Sequence, residues 1–125
     1  MKTSLRILLG FTAVALLATG CAQKADVNKP IDQIKTEVEK MSVKDLQGYA
    51  QAYAKQISAQ KGEAEKLLTK MRSMPPKDLL GEKAKSLRDD VSKVQSKLSA
   101  LTARFDLYAK KFKEKGGDIA NLKLK

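Results

Sequence analysis

The sequence has no His and no Trp, a single Cys, three Pro and only 5% aromatic residues among its 125 residues. The missing His removes the side chain that most often serves as general base near neutral pH. One Cys cannot build an internal disulfide framework or a Cys-rich zinc site. No glycine-rich phosphate loop of the GxxxxGK or GxGxxG kind occurs. Acidic residues are few beside basic ones, 14 against 25, which gives a net charge of +11. Asp89-Asp90 is the one adjacent acidic pair. On a helix, neighbours point about 100° apart, so these two read as a solvated acidic spot and not as a joint carboxylate site. Glu63 and Glu65 sit similarly, among Lys61 and Lys66. The reading is a non-catalytic chain with no cofactor and no metal, of a length that fits one small domain.

The N-terminus is a targeting segment. Lys2 and Arg6 form a basic start, and Ile7 to Ala18 is an almost unbroken apolar run. A mature membrane helix needs about 20 apolar residues, and this run is shorter. A basic start, a short apolar core and a small-residue end describe a secretory signal over residues 1–20. The alternatives are an ordinary signal followed by an accidental Cys, or an uncleaved anchor. Thr19-Gly20-Cys21 after the apolar run resembles the lipobox of bacterial lipoproteins. That resemblance, which covers residues 1–21, implies cleavage between Gly20 and Cys21, a diacylglyceryl group on the Cys21 sulfur and acylation (palmitate or a similar chain) of the new amino group. Lipidation would also explain a leftover thiol in an exported chain. Several acyl chains suffice for stable anchoring. Ala22 in place of Asp after the Cys implies the outer membrane, facing the periplasm, if the host is Gram-negative.

The rest of the chain carries helical patterning. Residues 21–29 read as the lipidated Cys and a short polar tether. Pro30 suits a first helical position. Ile31, Ile34, Val38 and Met41 then form one apolar stripe, predicting a short helix over about 31–41. Ser42-Val43-Lys44-Asp45 resembles a capping box and predicts a new helix start. Val43, Leu46, Ala50, Tyr53, Ile57, Gln60, Ala64, Leu67 and Met71 follow a strict heptad, with Gln60 the polar exception. Gln60 either sets register, as polar seam residues can, or is a water-exposed flaw. Pro75-Pro76 cannot continue an ordinary helix. The heptad resumes through Leu80, Ala84, Leu87, Val91, Val94, Leu98, Leu101, Phe105, Tyr108 and Phe112, and Gly116-Gly117 stops it.

The two heptads mirror one another about the double proline. Reflection pairs Met71 with Leu80, Ala64 with Leu87, Tyr53 with Leu98 and Val43 with Tyr108. This predicts an all-α fold: an antiparallel two-helix coiled-coil hairpin over about 43–72 and 77–115, with the short helix 31–41 covering its open end. The helical domain runs over 30–117, and 118–125 is a short basic-apolar tail in which Ile119, Leu122 and Leu124 are available to pack. Tyr53, Phe105, Tyr108 and Phe112 at heptad spacing read as core and not as an aromatic ligand platform. Tyr49, Leu68, Leu79 and Leu107 flank the seam, which leaves self-association open.

Without its signal the chain keeps 23 basic and 14 acidic residues, a net +9. An envelope lipoprotein does not normally meet nucleic acid. Anionic lipid head groups, lipopolysaccharide, cell-wall polymer or an acidic protein are the plausible counterparts, against a merely solvated Lys-rich surface. The densest cluster is Lys110, Lys111, Lys113 and Lys115, at the end that a hairpin returns toward the anchored side.

The signal, the lipobox, the heptad and a terminal Lys125 also resemble murein lipoprotein, with Ile31-Asp32-Gln33-Ile34 as a further local match. That resemblance implies a helical rod tied to peptidoglycan through Lys125. Pro75-Pro76, Gly116-Gly117 and the Leu122-Lys123-Leu124-Lys125 ending depart from it. The expectation is a lipid-anchored structural or adaptor protein with an unknown protein partner. The alternative is a module that binds anionic envelope molecules through Lys110, Lys111, Lys113 and Lys115. A wall tether comes third.

Overall fold

The computed structural model describes residues 23–122; the signal segment, the Gly20–Cys21 cleavage and lipidation position, and Leu124 and Lys125 of the tail lie outside the described residues. Three α-helices make up the body: α1 (Ile31–Lys40), α2 (Val43–Arg72) and α3 (Glu82–Glu114). No strand occurs among the described residues, and no helix among them is long and apolar enough to cross a membrane.

Local chemistry sets each boundary. Pro30 caps α1 from extended backbone, and its carbonyl accepts the Ile34 N–H at 3.1 Å. Ser42 begins α2 as the capping pattern predicts. Its hydroxyl accepts the Asp45 N–H at 3.1 Å and donates to the Asp45 carboxylate at 2.8 Å. Such a cap contributes about 1 kcal/mol. α3 ends in a complete Schellman motif: Gly117 N–H bonds the Phe112 carbonyl at 2.8 Å and Gly116 N–H bonds the Lys113 carbonyl at 3.0 Å. Gly116 supplies the positive φ of 93° that this turn requires.

The third helix starts later than the heptad predicts, at Glu82 and not near residue 77. The intervening chain closes a 3-10 turn over Pro76–Asp78, with Asp78 N–H on the Pro75 carbonyl at 2.9 Å and Gly81 N–H on the Asp78 carbonyl at 3.0 Å. Leu80, the first expected core residue of the second heptad, is therefore left in the connector and is 94% exposed. Val43, the first of the other heptad, is also exposed.

The core is concentrated at one end. Ile34 and Val38 of α1, Leu46, Ala50, Tyr53, Ala54 and Ile57 of α2, and Leu101, Phe105, Tyr108, Ala109 and Phe112 of α3 form one cluster. Burying each large apolar side chain there contributes roughly 1.5–3 kcal/mol. Leu122 of the tail joins this cluster, following a 3-10 turn over Ile119–Asn121. Beyond it, toward the connector, Leu67, Ala84 and Val94 are buried, whereas Leu87, Val91, Leu98 and Gln60 are only half-buried. The arm that ends in the connector is thus lightly packed.

Candidate functional site: the basic end and its N-terminal clasp

Residues 23–29, read from sequence as a tether, pack onto the helical body. Tyr53 is fully buried and exchanges two hydrogen bonds with Asp26: the phenol accepts from the Asp26 N–H at 3.1 Å and donates to the Asp26 carbonyl at 2.9 Å. Ala25 and Val27 pack against the core cluster. Arg104 of α3 donates through Nε to the Lys29 carbonyl at 3.0 Å and through a terminal nitrogen to the Ala100 carbonyl at 2.8 Å. Lys29 makes an ion pair with Glu37 of α1 and lies 5.7 Å from the centroid of the Tyr49 ring. A short polar segment holds still here because its own backbone groups find buried partners. Periodicity cannot reveal that.

The aromatic residues do form core. Tyr108 is sandwiched between Tyr49, at 5.1 Å and 12° between planes, and Tyr53, at 5.4 Å and 23°. The reflected heptad places Tyr108 opposite Val43 instead. The observed contact lies about one heptad further along α2. The Tyr108 hydroxyl is buried and has no hydrogen-bond partner among the described residues. Burial, reinforced by the neighbouring Tyr53, raises its pKa well above that of an ordinary tyrosine.

The four lysines of the expected anion-binding cluster divide into two pairs. Lys111 makes ion pairs with Glu39 of α1 at 2.6 Å and with Glu114 at 3.0 Å. Lys115 donates to the Glu39 and Met41 carbonyls at 2.9 and 2.6 Å. It thereby satisfies carbonyls left free at the end of α1, where positive charge is favoured. Lys110 and Lys113 are exposed. The hydrogen bonds that Lys111 donates to Glu39 and Glu114 raise its own pKa, and the one to Glu114 lowers that of Glu114. Lys111 and Lys115 therefore fasten α1 to α3.

A shallow groove of about 810 Å³ runs beside the clasp, lined by Gln23, Lys24, Asp26, Asn28, Lys29, Pro30, Gln33 and Tyr49. The Gln23 side chain lies over Gly48, where a Cβ would sit 2.0 Å from it. Among the described residues no group of three His, Cys, Asp or Glu side chains is placed to hold a metal ion. Asp90 pairs with Lys93 at 3.8 Å, as a surface charge does. The clasp escapes sequence reasoning as a unit, since its bonds from Tyr53 to Asp26 and from Arg104 to Lys29 span 27 and 75 positions.

No protein-family model, curated protein or solved structure matches the chain.

Proposed function

We propose that this chain is a lipid-anchored, non-catalytic helical protein of the bacterial envelope that acts as a structural or adaptor piece. The observation that carries this reading is the clasp. Only Ala22 separates residues 23–29 from Cys21, the position that resembles a lipoprotein acylation site, and these residues are bound to α1, α2 and α3 by Glu37, Tyr53 and Arg104 in turn. A body joined to an anchor through so short and so fastened a segment holds a fixed attitude to the membrane, which a mobile binding module would not need.

In this reading α2 and α3 run antiparallel as a hairpin. The stacking of Tyr108, late in α3, on Tyr49 and Tyr53, early in α2, supports that direction, as does the turn that joins Arg72 to Glu82. The stretch of α2 from Tyr53 to Arg72, at 1.5 Å per residue, then carries the connector about 30 Å from the clasp. The outer membrane, facing the periplasm, is the proposed address, through acylated Cys21. Anion binding by Lys110, Lys111, Lys113 and Lys115 is the weaker reading, because Lys111 and Lys115 are already engaged.

Two measurements test this. The wild-type chain should stay with envelope membranes through a high-salt wash, and Cys21→Ser should be released; retention of Cys21→Ser after that wash overturns the anchored reading. Spin labels at 44 and 113, and at 70 and 85, should both report short separations. A long 44–113 separation overturns the hairpin.

A further inference from the structure

The end of the molecule opposite the clasp combines three features. The first is apolar exposure. Leu80 is 94% exposed, and Leu79 and Leu68 are 42% and 39% exposed. The second is charge. Residues 66–88 hold seven basic and two acidic side chains, a net +5 over this stretch. Lys66, Lys70 and Arg72 approach the connector from α2, and Lys77, Lys83 and Lys85 lead away from it; all six are exposed. None of them forms an ion pair among the described residues, unlike Lys29 and Lys111 at the other end. The third is order. The Arg88 guanidinium donates to the Leu79 carbonyl at 3.0 Å and to the Ala84 carbonyl at 3.3 Å. The N–H groups of Asp78, Leu79 and Gly81 are all bonded within the connector. Leu80 is thus presented by a braced turn and not by a loose loop.

An exposed leucine costs hydration free energy that an ordered turn could avoid by folding it inward. With Asp78 and Glu82 beside it but an excess of unpaired cations on the flanking chain, it matches the two-part chemistry of an anionic bilayer surface, in which acyl chains take the apolar tip and head-group phosphates take the ammonium and guanidinium groups. A protein partner with an apolar socket would not call for positive charge on both flanks. We propose that the connector tip, Leu79–Leu80 with its flanking basic residues, is a docking site for the surface of an anionic phospholipid bilayer. It lies at the far end from the clasp, so with Cys21 acylated as proposed above the protein would hold two membrane surfaces, or a membrane and a vesicle, about one hairpin length apart. The lipid contact itself does not depend on the anchor; only the bridging distance rests on the function proposed above.

The chain has no Trp, so Leu80→Trp introduces a single reporter. The full-length lipidated protein carrying this substitution is mixed with vesicles of phosphatidylcholine alone or of equal parts phosphatidylcholine and phosphatidylglycerol. The expected result is a blue shift of Trp emission, and quenching by brominated lipid, with the phosphatidylglycerol vesicles only, reversed by high salt. Adding Lys77→Glu and Lys83→Glu should weaken this partitioning by about tenfold or more. Emission that stays unshifted on anionic vesicles, or shifts equally on neutral ones, overturns the proposal. A shift that grows with protein concentration in the absence of lipid also overturns it and assigns the tip to a second copy of the chain. Co-flotation with neutral vesicles, lost in Cys21→Ser, reads the anchor separately, so failure of the tip and failure of the anchor give different results.

Discussion

Tyr53 and the Asp26 main chain satisfy each other twice, the phenol accepting at 3.1 Å and donating at 2.9 Å. Removing the hydroxyl breaks both of these part-buried hydrogen bonds, each of which contributes about 0.5–1.5 kcal/mol. Tyr53→Phe should lower the thermal midpoint measured by circular dichroism. It should also speed tryptic cleavage after Lys24 more than cleavage within α2.

Tyr108 is the opposite case. Its ring is buried between two others, but its hydroxyl is orphaned. Tyr108→Phe keeps the stack and removes a desolvated polar group, so it should be neutral or stabilising, by up to about 1 kcal/mol in urea unfolding. A loss comparable to that of Tyr53→Phe would contradict the burial described above.

The same residue predicts an alkaline limit. Burial keeps folded Tyr108 protonated above 10.0, where an unfolded tyrosine ionises. The unfolded state then binds fewer protons than the folded one. Stability is therefore present in full below about pH 10 and declines as pH rises above it. In a spectrophotometric titration, one of the three tyrosines should ionise only as the helical signal is lost.

Glu37 acts at the acid end. Hydrogen bonds from Lys29 and Gln33 hold its carboxyl below the ordinary value of 4.5. Its contribution is complete above that value and is lost as pH falls through the lower folded one. Glu37→Gln should therefore reduce stability at pH 7, with a smaller difference from wild type at pH 3. Equal differences at both would rule out the charge as the cause.

The paired glycines that end α3 serve separate purposes. A Cβ on Gly117 would fall 2.3 Å from the Phe112 ring, which is itself buried in the core. Gly116 has open space around it but a φ of 93°. Gly116→Asn should accordingly be milder than Gly116→Ala, because Asn tolerates left-handed backbone better. Gly117→Ala should cost about 1–3 kcal/mol through overpacking. Melting curves of the three variants test this order.

The sequence made the helices legible where local rules act alone. Ser42 and Asp45 mark the start of α2, Pro75-Pro76 lies just past its end, and Gly116-Gly117 closes α3. Register was not legible in the same way. A heptad looks identical after a shift of seven, so it places Tyr108 beside Val43 as readily as beside the Tyr49–Tyr53 turn of α2, where it lies. The turn of the connector is held by main-chain hydrogen bonds from Asp78, Leu79 and Gly81, which hydropathy does not register, and so Leu80 counts as core in the pattern and stands in solvent in the fold. The division of the lysine cluster has the same origin: Lys111 and Lys110 are adjacent and alike in sequence, and only the position of Glu39 on another helix separates their roles.

The bond from Arg104 to the Lys29 carbonyl spans 75 positions, and those from Lys115 to the Glu39 and Met41 carbonyls span 76 and 74. Helices α1 and α2 can form from neighbouring residues as soon as these are available, and Glu37 and Tyr53 can then begin to hold Lys29 and Asp26, but the bond from Arg104 has to wait for the last third of the chain. A chain that emerges N-terminus first therefore keeps the fastening incomplete until Arg104 arrives, and the link from α3 to the end of α1 open until Lys115 does. Completion of α3 closes the clasp, and a product truncated before Arg104 would hold its first segment on α1 and α2 alone.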